Sequence, residues 1–238
     1  GARRGMQEQN SDGGPKGVIV PDEAAVRAYF TRSDGSFRFA RWGRPLAPAF
    51  FGFEEEGERI WREALRASVA IGGLELAMVD RELGVNFMVF SCGAWSELLE
   101  VPAMDRLIPD IARLLRVLEA SGANQYRIFG FAPGERSNAP GPIRICITLL
   151  RRDEVFEMMS ERAWALGQVV QGLLLWSDHA FTAESPVAEI EGVGRAVVTP
   201  RLQHLLRAAY APELPSASDD PAHAAALAAL AARSAASS

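Results

Sequence analysis

The densest group of residues able to bind a metal or move a proton is Asp178, His179 and Glu184. Together they could hold a divalent cation as a hydrolytic centre. The other reading is a polar exit from a helix, with Asp178 and His179 solvated or capping. Ser177 lies beside them but lacks the strained Gly-x-Ser-x-Gly turn of a nucleophilic serine. Gly192-Val193-Gly194 is too short to cradle a phosphate, and no Lys-Ser or Lys-Thr follows it. His204 and His223 stand singly on helical stretches, and no triad follows from them. Gln168 and Gln171 are three apart in an apolar stretch, so a helix makes them neighbours. A carboxamide cannot take a proton from water near neutral pH, which leaves two roles: satisfying buried backbone groups, or lining a binding groove. Arg144, on a preceding strand, is a candidate to attract an anion into such a groove, although alternation along the strand leaves its face open. Glu54-Glu55-Glu56 reads as the charged start of a helix rather than a metal cluster.

Composition narrows the classes. A length of 238 residues suits one domain, and 48% apolar with 23% charged residues is ordinary for a folded globular chain. A net charge of −5, from 25 basic and 30 acidic residues, without a basic run, argues against nucleic acid. No apolar run reaches the ~18 residues needed to span a bilayer. The chain opens on Gly1 without methionine, which suits a processed product. Removal of a leader would put Cys92 and Cys146, both near strand ends, where they could pair; two unpaired core thiols are the alternative.

The elements that must position these residues follow from periodicity and punctuation. Residues 1–17 are Gly- and Gln-rich without apolar rhythm and are expected to be a disordered leader segment, residues 18–233 one domain, and 234–238 a frayed tail. Strands are expected over 37–42, with Arg38 and Arg41 facing solvent, and over 46–53, 74–78, 85–90, 126–131 and 143–149. The last two form a hairpin with a long loop rich in Pro and Gly. Helices are expected over 22–30, after Glu54 until Gly72-Gly73, around Ile108 to Leu118 until Gly122, over 161–176, after Thr199-Pro200, and after Asp220-Pro221. The helix over 161–176 is apolar nearly all round and should be buried. Tyr210 should pack back over the core where Pro212 ends its helix.

Three stretches carry a resemblance: Val85-Asn86-Phe87-Met88-Val89, Gln168-Val169-Val170-Gln171-Gly172-Leu173-Leu174-Leu175-Trp176-Ser177-Asp178, and Leu205-Leu206-Arg207-Ala208-Ala209-Tyr210-Ala211-Pro212-Glu213-Leu214-Pro215. They resemble an uncharacterised bacterial zincin-like family of exported proteins and lipoproteins, in which the second stretch commonly reads Glu-Glu-x-x-Gln. The resemblance implies an α+β, zincin-like fold: a twisted mixed sheet of about five strands over 37–149, packed against helices, and a helical C-terminal half. A working zincin sets two histidines four apart around a Glu that activates the zinc-bound water. Gly167, Gln168 and Gln171 stand at those positions here. The implied protein has no metal, cofactor or catalytic residue. It is a non-catalytic interaction or scaffold protein of the cell envelope or periplasm, with a protein partner. Two alternatives stay open: a residual metal-dependent hydrolase at Asp178, His179 and Glu184, and a small-anion or peptide binding module using Arg144, Gln168 and Gln171.

Overall fold

The computed structural model describes residues 20–238, so the segment 1–17 expected to be disordered lies outside the described residues. The elements follow as α1 (Glu23–Phe30), β1 (Phe39–Ala40), β2 (Pro48–Phe51), α2 (Glu55–Gly72), β3 (Phe87–Cys92), a 3-10 turn at Trp95–Glu100, α3 (Met104–Leu107) and α4 (Ile111–Ser121). Then come β4 (Gln125–Phe131), β5 (Ile143–Arg151), α5 (Glu154–Glu157), α6 (Glu161–Gln171), β6 (Val187–Ile190), β7 (Arg195–Val198), α7 (Pro200–Ala209), β8 (Ala217–Ser218) and α8 (His223–Ala236). Local chemistry sets many of these ends. Asp22 accepts from the Ala25 amide at 2.8 Å and Ser160 caps Ala163 at 3.1 Å, each satisfying an orphan donor of a first turn. Gly73 and Gly122 end α2 and α4 at φ of 69°, a region that costs glycine nothing.

The class is α+β, built on a mixed sheet in the order β2-β3-β5-β4. β2, β3 and β5 run parallel, and β4 returns antiparallel to β5 as an edge strand. Both faces of the sheet are covered, so β3 is buried at every position and its sequence is apolar without alternation. Met88, Phe90, Ile147 and Leu149 pack under α4 and the 3-10 turn. Phe87, Val89, Cys146 and Leu150 face the larger core, which includes α1, α2, α6, α7 and α8.

Four strands form this sheet, not five. Residues 74–78 contribute only an isolated bridge, Leu46 to Leu76, because the chain turns at Asp80, whose carboxylate accepts from the amides of Glu82 and Leu83. The stretch 37–42 is extended, but only Phe39–Ala40 forms a strand, and its partner is β8 rather than the main sheet. Arg41 corrects a second expectation. Instead of facing solvent, its guanidinium donates to the carbonyls of Ala209, Ala211 and Leu214 at 2.7, 2.8 and 2.8 Å, closing the end of α7. Tyr210 does pack inward, with its hydroxyl donating to the Leu173 carbonyl and accepting from the Trp42 amide.

The C-terminal half is not wholly helical. β6 and β7 pair as a hairpin whose tip is Gly192-Val193-Gly194, with φ of 77° and 62° at the glycines. The helix expected over 161–176 stops at Gln171. Leu174 instead bridges Arg41, and the Leu175 amide donates to the Ala40 carbonyl. Gly172 permits this break, since a Cβ there would sit 2.8 Å from the Phe87 ring. At the far end, α8 continues to Ala236 and buries Ala235, so most of the tail expected to fray is helical. No helix among the described residues is long and apolar enough to cross a membrane.

Candidate functional site

Gly167, Gln168 and Gln171 lie on α6, which packs across the sheet beside its edge strand. Every residue from Ala163 to Val170 is buried there, Gln168 included. A buried carboxamide must find partners for its oxygen and nitrogen. The Gln168 Oε1 accepts from Arg127 Nη2 at 2.5 Å, and its Nε2 donates to Gln125 Oε1 at 2.6 Å. Gln171 accepts from Arg127 Nη1 at 3.4 Å and donates to the Gly167 carbonyl at 3.1 Å. One glutamine therefore back-bonds its own helix, and the two together hold the Arg127 side chain.

Arg127 is the residue that sequence reasoning missed. It lies in the middle of β4 opposite Thr148, on the face turned to α6, and its Nε donates to Thr148 Oγ1 at 3.3 Å. Arg127 is half-buried, and desolvation pushes its pKa below the ordinary arginine value. Its oxygen partners are neutral, and no carboxylate pairs with it among the described residues. The available signal was an arginine flanked by Tyr126 and Ile128 inside an otherwise apolar strand, since such a residue must be paired or functional if its face is buried.

Arg144, proposed for this role, does not join the two glutamines. The strand pairing slips next to it, with Ile145 opposite Gly130 and Ile143 opposite Phe131, so simple alternation fails at this point. The cavity along β4 beside Gln171 is lined by Arg127 instead.

Two such cavities flank the glutamines. One, of about 480 Å³, lies along β4 and is walled by Arg32, Arg38, Arg127, Phe129 and Phe131. The other, of about 390 Å³, lies along α6 between Trp164, Gln168 and Phe181. They share Gln125, Gln171, Ser177 and Asp178, and so adjoin one another as neighbouring parts of one cleft region.

Asp178 stands at the rim. Burial tends to raise its pKa, but hydrogen bonds from His179 and Ser33 outweigh this and hold the carboxyl below its ordinary value. His179 Nδ1 lies 3.2 Å from Asp178, whereas Glu184 turns to Arg201 at 3.6 Å. The trio offered as an alternative metal site does not assemble, and no set of three His, Cys, Asp or Glu among the described residues is placed to hold a metal ion. The geometric reason is that Glu184 leaves the turn after α6 for the start of α7.

Cys92 and Cys146 are free, buried and packed into the cores on opposite faces of the sheet, which removes the disulfide alternative. Burial raises both thiols to about 11, well away from reactivity. His204 and His223 are buried and line neither cavity, and the His223 ring lies tilted against Phe39 with centroids 4.3 Å apart. Comparison with protein-family models, with curated proteins and with solved structures finds no match.

Proposed function

We propose that the chain is a zincin-like protein without metal chemistry, an interaction or scaffold protein of the bacterial cell envelope that holds its partner in the cleft between α6 and β4. The observation that carries this reading is the Arg127–Gln168–Gln171 cluster. At the positions of a zincin's two ligands and base stand a glycine and two carboxamides, and these residues do not fit zinc. Gly167 offers no side chain, and an amide oxygen is a weak neutral ligand beside imidazole or carboxylate. The guanidinium at 2.5 Å from Gln168 adds a positive charge, which would repel a dication on the same helix face. The resemblance of the three sequence stretches supplies the zincin-like and envelope parts of the proposal. A mixed sheet with an antiparallel edge strand beside a buried helix is compatible with it.

The test is direct. Purified protein dialysed without chelator should carry no stoichiometric zinc by elemental analysis, and should cleave no peptide at a chelator-sensitive rate. Stoichiometric zinc or such cleavage overturns the reading. Affinity capture from the native source with mass spectrometry should recover a recurrent partner, and that recovery should fall when the cleft residue Gln171 is changed to Trp. Periplasmic fractionation tests the envelope assignment, which cytosolic recovery would remove.

A further inference from the structure

Eight arginines, from Arg27 on α1 to Arg201 beside Glu184, meet a carboxylate among the described residues. Arg32, Arg38 and Arg127 form no ion pair among the described residues, yet all three line the same cavity of about 480 Å³. Among the described residues the only carboxylate on that cavity is Asp178, which is already bonded to Ser33 and His179. A chain of net charge −5 therefore folds a cationic recess. Such a recess raises the local concentration of anions.

The three arginines are presented differently. Arg127 is held at the back by Gln168 and Thr148. Arg32 is fixed by the carbonyls of Trp176 and Leu175 at 2.9 and 3.4 Å. Arg38 lies over the Phe131 ring with its guanidinium carbon 4.3 Å from the centroid. Stacking engages the face of a guanidinium and leaves its N–H edge available for a bidentate carboxylate. Desolvation and then the nearby Arg38 lower the pKa of Arg32, a repulsion that a bound anion would relieve.

We propose that this cavity binds a carboxylate carried on an apolar group, either the C terminus of a peptide or a free aromatic acid. The proposal rests on the binding role argued above for the cleft and names the chemistry of what enters it. Phe129, Phe131 and Trp176 make much of the remaining wall, which suits an apolar neighbour to the carboxylate better than a hydrated inorganic anion.

Isothermal titration of the full chain decides it, using acetyl-Ala-Ala-Phe with a free carboxylate, the same peptide amidated, phenylacetate, and inorganic phosphate. The free acid should bind at least ~10-fold tighter than the amide, and high salt should weaken it. Arg38→Gln, at the cavity wall, should weaken it ~10-fold with an unchanged circular dichroism spectrum. Tighter binding of the peptide acid than of phenylacetate assigns a C terminus, and the reverse assigns a free acid. Equal binding of acid and amide, no saturable binding of either acid, or preference for phosphate overturns the proposal. The acid-against-amide comparison needs no variant and stands even where Arg38→Gln fails to fold. A zinc-free protein that captures a partner yet binds no carboxylate would sink this inference alone, whereas stoichiometric zinc would sink the cleft reading beneath it.

Discussion

Gln168 shows how one buried carboxamide can use both its ends. Its oxygen serves Arg127 and its nitrogen serves Gln125, so Gln168→Leu should leave a half-buried cation short of a partner. The expected cost is ~1–3 kcal/mol by chemical denaturation. Gln168→Glu should instead pair with Arg127 and match or exceed the parent stability at neutral pH. Such a paired carboxylate has a depressed folded pKa, so its contribution is present above the unfolded value of ~4.3 and is lost as pH falls through the folded one.

His223 gives the opposite kind of acid sensitivity. Burial, then the charge of Arg41, lower its pKa from 6.5 to about 4, with Asp220 opposing. The unfolded chain takes a proton as pH falls below 6.5, while the folded chain refuses it until about 4. Stability should therefore fall across that window by up to ~3 kcal/mol, and His223→Leu should flatten the curve there. The loss from Asp80 is distinguishable because it comes lower. Hydrogen bonds from the amides of Leu83 and Glu82, working against desolvation, bring its carboxyl from 3.8 to about 2, so its contribution disappears only below 3.8.

At the scale of elements, the junction of β1 with the end of α7 is where a single side chain joins distant segments. Arg41 satisfies the last carbonyl of α7, at Ala209, and two more in the turn that follows, at Ala211 and Leu214, which would otherwise be left to water. Arg41→Gln should destabilise the fold by ~3 kcal/mol in urea titrations. Arg41→Lys should recover little, because a point ammonium cannot reproduce a planar fork to three acceptors. The same junction explains why α6 ends early. Its continuation is captured as an extended strip against residues 40 and 41, and Trp42 Nε1 donates to the Gly172 carbonyl at 2.8 Å. Alternation and caps made β2 to β5, α1, α2, α4, α7 and α8 legible, since each depends on neighbours close in sequence. The hairpin of β6 and β7 and the strand β8 escaped because short, exposed strands carry little apolar rhythm, and β8 exists only by pairing with β1.

For the whole molecule, the sheet is shared by two apolar cores, with Cys92 in one and Cys146 in the other. Exposing either thiol requires opening one face of a sheet on which the other also rests. Both should stay unreactive to a thiol reagent in the native state and become reactive at one denaturant midpoint, with reductant leaving that midpoint unchanged. Two separate midpoints would show that the layers unfold independently.

What the amino-acid order determined alone was local: where apolar rhythm runs at the period of a strand or a helix, where glycine or proline interrupts it, and that Gly167, Gln168 and Gln171 cannot do a zincin's chemistry. Only the tertiary structure decided that Arg127 rather than Arg144 meets those glutamines, and that Glu184 abandons Asp178 and His179 for Arg201. Only there, too, do three arginines converge without a matching carboxylate. A side chain's type sets what it can bind, but its partners are set by strand register and by segments more than a hundred residues apart packing together, as Arg41 and the end of α7 do.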